Sequence, residues 1–146
     1  MIAHAGLITV YDQGEWRGAL IEGASGAGKS DLALRCLALG CRLVADDRIE
    51  LWTTDGKLYG ACPPAIAGLM EARGLGVIAP PRTRRFSQVA LIVAALPPGE
   101  TIDRMPDPPQ KREMLGVVLP LLRLHALEDS APLKLLAALS RLGAEL

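Results

Sequence analysis

Gly23-Ala24-Ser25-Gly26-Ala27-Gly28-Lys29-Ser30 is the stretch that decides how the chain reads. It fits G-x-x-x-x-G-K-[ST], the phosphate-binding P-loop, at every position. The flanks agree with the letters. Ala19-Leu20-Ile21 reads as the end of an apolar strand, and residues 31–39 read as a helix of good formers that stops at Gly40. Glycines admit backbone angles that other residues resist, so successive N–H groups can converge on phosphate oxygens, and the helix N-terminus adds partial positive charge. All eight residues, 23–30, are therefore candidates for binding a nucleotide or another polyphosphate. Lys29 would reach the outer phosphates, and the Ser30 hydroxyl would ligate Mg²⁺.

Working outward, the chain ahead of the loop gives a strand at 7–11, a turn at 12–15 and a returning strand at 16–22. The P-loop strand should then pair antiparallel with the strand before it, which points to a mixed sheet. Behind the loop, the helix is apolar nearly all round and should be well buried. Cys41-Arg42-Leu43-Val44-Ala45 then leads into Asp46-Asp47, an apolar strand ending in acid, the arrangement that aims a carboxylate at a P-loop metal. Of two adjacent carboxylates, one can serve the metal while the other faces an acceptor.

Further on, residues 48–53 and 57–62 form a hairpin around Asp55-Gly56. Pro63-Pro64 introduces an expected helix at 65–73, stopped by Gly74, with Glu71 in its last turn. A carboxylate there opposes the helix dipole, and a bound cation would be a reason for it. A brief strand at 75–78 precedes the basic, proline-bounded loop Pro80-Pro81-Arg82-Thr83-Arg84-Arg85. That loop suits a phosphate, an acidic partner or plain solvent equally well. Residues 89–96 read as a central strand and 97–109 as a proline-rich excursion containing Asp107. Residues 117–124 read as an edge strand because of Pro120. The last helix, 131–142, carries a leucine girdle ending at Leu142.

Composition sets the bounds. The 146 residues suit one domain, with a core built from aliphatic residues, since one Phe, two Trp and two Tyr are present. Sixteen basic and sixteen acidic residues cancel, so no overall field advertises nucleic acid. Cys36, Cys41 and Cys62 lack metal or disulfide spacing and read as free thiols in a reducing, cytoplasmic setting. No apolar run approaches the roughly 20 residues of a membrane-spanning helix, and the N-terminus lacks a signal-peptide layout.

Three segments together resemble the catalytic domain of the HPr kinase/phosphorylase family. They are His4-Ala5-Gly6-Leu7-Ile8-Thr9-Val10-Tyr11, the P-loop followed by Leu43-Val44-Ala45-Asp46-Asp47-Arg48, and Glu71-Ala72-Arg73-Gly74-Leu75-Gly76-Val77-Ile78. The last is similar to the family signature E-x-R-G-L-G. The resemblance implies an α/β fold, a P-loop kinase with a mixed β-sheet similar to phosphoenolpyruvate carboxykinase. It implies ATP and Mg²⁺, and phosphorylation of a serine on the phosphocarrier protein HPr or an HPr-like, nitrogen-branch relative. It further implies Asp47 as general base, His4 supporting it, Lys29 on the phosphates, and Ser30, Glu71 and Asp46 at the metal. Arg73, Gly74, Leu75 and Gly76 would form the loop that receives the protein substrate, and the domain would assemble as a homo-oligomer, a hexamer in the family. The segment Pro120-Leu121-Leu122-Arg123 departs from the family's P-x-x-x-G-R-N pattern, so the resemblance carries the kinase direction over and leaves phosphorolysis open. A small-molecule kinase and a non-enzymatic nucleotide sensor are the rival readings of the same P-loop.

Overall fold

The computed structural model describes residues 1–106 and 108–141 of the chain; Asp107 and Leu142 lie outside them. Among these residues eleven strands and two α-helices follow one another, beginning with β1 (Ile2–Ala3), β2 (Gly6–Asp12), β3 (Glu15–Gly23), α1 (Lys29–Ala38), β4 (Arg42–Ala45), β5 (Ile49–Thr54) and β6 (Lys57–Ala61). A 3₁₀ turn at Pro64–Ile66 leads to β7 (Met70–Ala72), β8 (Gly76–Ile78), β9 (Phe86–Ala95), β10 (Lys111–Met114), β11 (Val117–Leu124) and α2 (Ala131–Arg141).

Nine strands make one mixed sheet. Its main path runs β1-β5-β6-β9-β3-β2-β4. The expected hairpin is there, since β2 and β3 pair antiparallel from Gly6↔Ile21 to Asp12↔Glu15. On its other side β3 runs parallel to β9, with Ile21 opposite Val93 and Gly23 opposite Ala95. β9 is the branch point, because its first residues pair with β6 and its last four with β11, also in parallel.

The pleat splits the core in two. Ile8, Ala19 and Ile21 face a cluster closed by Leu32 and Cys36 of α1 and Leu135 and Leu139 of α2. Their neighbours Leu7 and Leu20 point the other way, into a cluster with Val44, Leu51, Leu58, Ile92, Met114 and Leu119. That second cluster is built from strands and the segments joining them, so the sheet curls over its own face. The buried hydroxyls of Thr9 and Ser87 bond each other across the sheet at 2.8 Å.

Three expectations need correction. The helix expected at 65–73 is absent. Gly68 at φ 77° breaks the run after one 3₁₀ turn, and residues 70–72 alternate buried, exposed, buried in a strand paired with β8. Tertiary packing of Met70 and Ala72 overrides the helix propensity of that stretch. Gly74 accordingly sits at a hairpin tip and stops no helix. Nor is β11 an edge strand, for it lies between β10 and β9. Leu121 N–H donates to the Gln110 carbonyl, so the Lys111↔Pro120 pair is a position where β10 asks no N–H of proline. Pairing with β9 begins one residue later, at Leu121. Finally, α1 buries one face only; Leu32, Ala33 and Cys36 are enclosed, Leu34 and Leu37 are half-buried, and Asp31 and Ala38 are exposed.

Candidate active site

The P-loop leaves β3 through a position that accepts no side chain. Gly23 has φ 152°, and a Cβ there would stand 2.6 Å from the Ala95 carbonyl oxygen on β9. Ala27 N–H closes the loop's turn on the Ala24 carbonyl at 3.0 Å. Gly28, at φ 93°, precedes the first helical residue, and no side chain caps the helix. The opening N–H groups of α1 are thus left for an anion, as the motif requires. Lys29 folds back over the loop, its Nζ donating to the Gly23 carbonyl at 2.6 Å and the Ala24 carbonyl at 3.5 Å.

Asp46 follows the end of β4 and ties two elements together. One carboxylate oxygen accepts the Ser30 hydroxyl at 2.7 Å, and the other accepts the Glu71 backbone N–H at 3.0 Å. The P-loop helix and the β7–β8 hairpin are therefore fixed by the same residue. Asp47 is built differently. Arg48 N–H donates to the Asp46 carbonyl, an i→i+2 bond around Asp47 at φ 68°. This is a γ-turn of the rare, strained kind. It lifts the Asp47 carboxylate out of the strand and leaves it exposed, with no hydrogen bond among the described residues.

These groups share one cleft of about 410 Å³. Ser25, Gly26, Gly28, Lys29 and Ser30 form one wall; Asp46, Asp47, Glu71 and Arg73 form another; Leu34 and Leu127 add apolar surface. Glu71 belongs to the site for a reason other than the expected one, since it sits on a strand and meets no helix dipole. Among the described residues no three His, Cys, Asp or Glu gather into a metal centre. The cleft nevertheless offers the all-oxygen donors that Mg²⁺ takes, from the Ser30 hydroxyl beside the Asp46 carboxylate with Glu71 nearby. A phosphate-bound Mg²⁺ uses only one or two carboxylates.

His4 does not line the cleft, and it is exposed without a hydrogen bond among the described residues. The topology brings it close by another route. Ala3 pairs with Ile49 and Leu7 with Ala45, so His4 lies on the segment alongside the Asp46–Arg48 turn. Gly74, Leu75 and Gly76 form the tip of the β7–β8 hairpin, with Leu75 75% exposed. Of the basic loop, Thr83 bridges to Leu43 on the outer side of β4, and Arg84 stacks on Trp16 at 4.2 Å, a ring that Arg42 also approaches at 5.0 Å. Arg84 is thereby committed to packing, while Arg82 and Arg85 are exposed. Arg123 is paired with Glu100 at 2.5 Å and does not reach the cleft.

All three cysteines are free and buried. Burial, and then the nearby Asp46 charge, push the Cys62 thiol up, against the opposing pull of Arg85. The hydrogen bond between Cys36 and Cys41, together with burial, holds the Cys36 thiol high.

The HPr Serine kinase C-terminal domain model matches residues 1–136. The chain belongs to that family. It is 35% identical over 130 residues to the HPr kinase/phosphorylase of Streptococcus thermophilus, covering 83% of this chain and 41% of that protein. The HPr kinase/phosphorylase of Clostridium tetani is 43% identical over 86 residues, covering 59% of this chain and 27% of the relative. The chain thus spans less than half the length of these curated relatives. The solved structure of the Hpr(Ser) kinase/phosphatase from Coxiella burnetii superposes with a TM-score of 0.80 at 26% identity, covering 99% of this chain and 96% of that one. The mixed sheet read from the P-loop hairpin is the sheet of this family.

Two residues in or beside the cleft went unnoticed in the sequence. Leu127 lines it, and Arg35 on α1 donates to the Ala126 and Glu128 carbonyls, the latter at 2.9 Å. No motif marks either, because their roles arise from contacts about ninety residues apart along the chain.

Proposed function

We propose that the chain is an ATP-dependent protein serine kinase whose acceptor is HPr or an HPr-like phosphocarrier. The observation carrying this reading is the shared cleft, in which the lysine-bearing cradle and the twin acids face one space with Ser30 bonded to Asp46 at 2.7 Å. Phosphoryl transfer needs charge neutralisation, in-line positioning and a carboxylate within reach of the acceptor hydroxyl. The loop amides and Lys29 hold the phosphates. Ser30, Asp46 and Glu71 hold Mg²⁺, which neutralises charge on the phosphates. Asp47 takes the proton from the substrate serine, for it alone of the two aspartates has no other partner. His4 supports the turn bearing Asp47. The exposed hairpin Arg73-Gly74-Leu75-Gly76 receives the protein substrate beside the acids.

No helix among the described residues is long and apolar enough to cross a membrane. A cytoplasmic location and assembly into a homo-oligomer, hexameric by resemblance, belong to the same proposal. Incubation with γ-labelled ATP, Mg²⁺ and an HPr-type protein tests it directly. Label on a serine of the carrier is the expected result. Label on a small metabolite would favour the small-molecule kinase, and nucleotide binding without turnover would favour the sensor.

A further inference from the structure

The flank of the P-loop away from the acids carries a feature for which phosphate chemistry has no use. Across β3, the strand order puts β4 with its acids on one side, beyond β2, and β11 on the other, beyond β9. The segment leaving β11 lies against the loop, since a Cβ on Gly28 would stand 2.8 Å from Leu127 Cδ2 and 3.3 Å from Ala126 Cβ. Leu127 lines the cleft yet remains 65% exposed. A leucine neutralises no charge, so its place in a phosphate cleft calls for an apolar ligand surface.

The segment is also held unusually firmly for an exposed loop. Arg35 Nε pairs with Asp31 at 2.9 Å, while its two terminal nitrogens donate to the carbonyls of Ala126 and Glu128 on either side of Leu127. Upstream, His125 Nε2 lies 2.7 Å from the Glu100 carbonyl. Downstream, Ala131 N–H closes on the Glu128 carbonyl at 3.1 Å as α2 begins. Leu127 is fixed from both sides by bonds that leave its own side chain free. Such preorganisation is what a ligand-facing contact uses to avoid an ordering cost.

We propose that residues 125–128 form the nucleoside-side wall of the nucleotide site, with Leu127 packing on the face of the base or ribose and Arg35 as the residue that positions it. This rests on the nucleotide reading above. Transfer occurs at the acids, so the terminal phosphate lies there. The Gly28–Ser30 amides take the phosphates behind it, and the nucleoside runs out along the opposite flank, over Leu127.

Binding of ATP and of inorganic triphosphate, each with Mg²⁺, separates base-side from phosphate-side contacts in wild type, Leu127→Ala, Arg35→Met and Arg35→Lys. Leu127→Ala is expected to weaken ATP about tenfold, the usual size for one apolar contact, and to leave inorganic triphosphate unchanged. Arg35→Met should shift the same ratio, and Arg35→Lys should restore part of it, because one ammonium can still bond a carbonyl of the segment. Equal losses for both ligands would overturn the proposal by making the segment a support of the phosphate cradle. No change for either would overturn it too. If wild type bound inorganic triphosphate as tightly as ATP, the nucleoside wall would fall while the P-loop reading stood. Binding of neither ligand would sink both. Leu127 contributes little to the core, so its truncation should fold, and a retained melting temperature checks that.

Discussion

Two turns flank the P-loop strand, each closed by one backbone bond of its own, and they differ in what they leave free. The acid-bearing turn at Asp46–Arg48 closes on itself with one i→i+2 bond over a strained backbone and presents its second carboxylate, without a hydrogen bond among the described residues, to solvent. The segment at 125–128 also closes on itself, Glu128 N–H donating to the His125 carbonyl at 3.1 Å, but it is braced from outside as well, by an arginine 91 and 93 residues away in sequence and by the Glu100 carbonyl. The first turn carries charge that must act on a reacting group. The second carries an apolar side chain that must only stay where it is. Strain suits the former, and external bracing suits the latter.

The largest effect that would break this contrast is at Asp47. Asp47→Asn is expected to lower transfer to the carrier by about 10²–10⁴, the range of general-base effects, with ATP affinity kept. Transfer near the wild-type rate would move the base elsewhere, and Asp46, already bonded through both oxygens, would have to be released to serve. Between the two turns lies Lys29. Lys29→Met should weaken ATP and inorganic triphosphate alike, by about 10–100-fold on the scale of a charge-assisted hydrogen bond. A loss confined to ATP would mean that the lysine does not address the phosphates.

The contrast also explains what the sequence could tell. Everything that acts through a local motif was legible. The P-loop, the β2–β3 hairpin, the acidic strand end and the signature at 71–76 all sit in short, self-contained stretches. What escaped depends on distant partners. The run Ala65-Ile66-Ala67-Gly68-Leu69-Met70 looks helical until Met70 is buried against the body and Glu71 N–H finds Asp46. The helix-dipole reading of Glu71 therefore falls away, while the signature at 71–76 points to the same residue without it. Pro120 suggested an edge because sequence shows the missing N–H but not which neighbour would have asked for it. The basic loop at 82–85 looked like a single patch, although Trp16 takes Arg84 and leaves Arg82 and Arg85 outside. Arg35 and Leu127 gave no signal.

A smaller effect sharpens the acid side. Leu75 stands 75% exposed at the tip of the hairpin that Asp46 anchors. Leu75→Ser should leave stability within about 0.5 kcal/mol, as for most surface changes. The KM for the protein acceptor should rise about tenfold, the size of a modest interface contact, while the KM for ATP stays put. Equal shifts in both would show that the hairpin shapes the nucleotide cleft and does not receive the acceptor.

The smallest effect tests whether the braced segment and the loop are coupled. Gly28→Ala faces two obstacles. A backbone at φ 93° resists any side chain, at a cost of about 1–2 kcal/mol, and the new methyl meets Leu127 Cδ2 at 2.8 Å. The first obstacle belongs to the loop alone, and the second belongs to the pair. Because Cδ2 is the far end of a flexible side chain, it can swing aside cheaply, so the steric share should be the minor one. Leu127→Ala in the Gly28→Ala background should then recover about 0.5 kcal/mol, the lower end of coupling between touching residues, as read from denaturant midpoints in a double-mutant cycle. A recovery of the whole loss would mean that the loop tolerates its backbone angle and that the segment alone excludes the methyl. Strict additivity would mean that Leu127 already stands clear of the loop, and the two flanks of the cradle would then be independent structures.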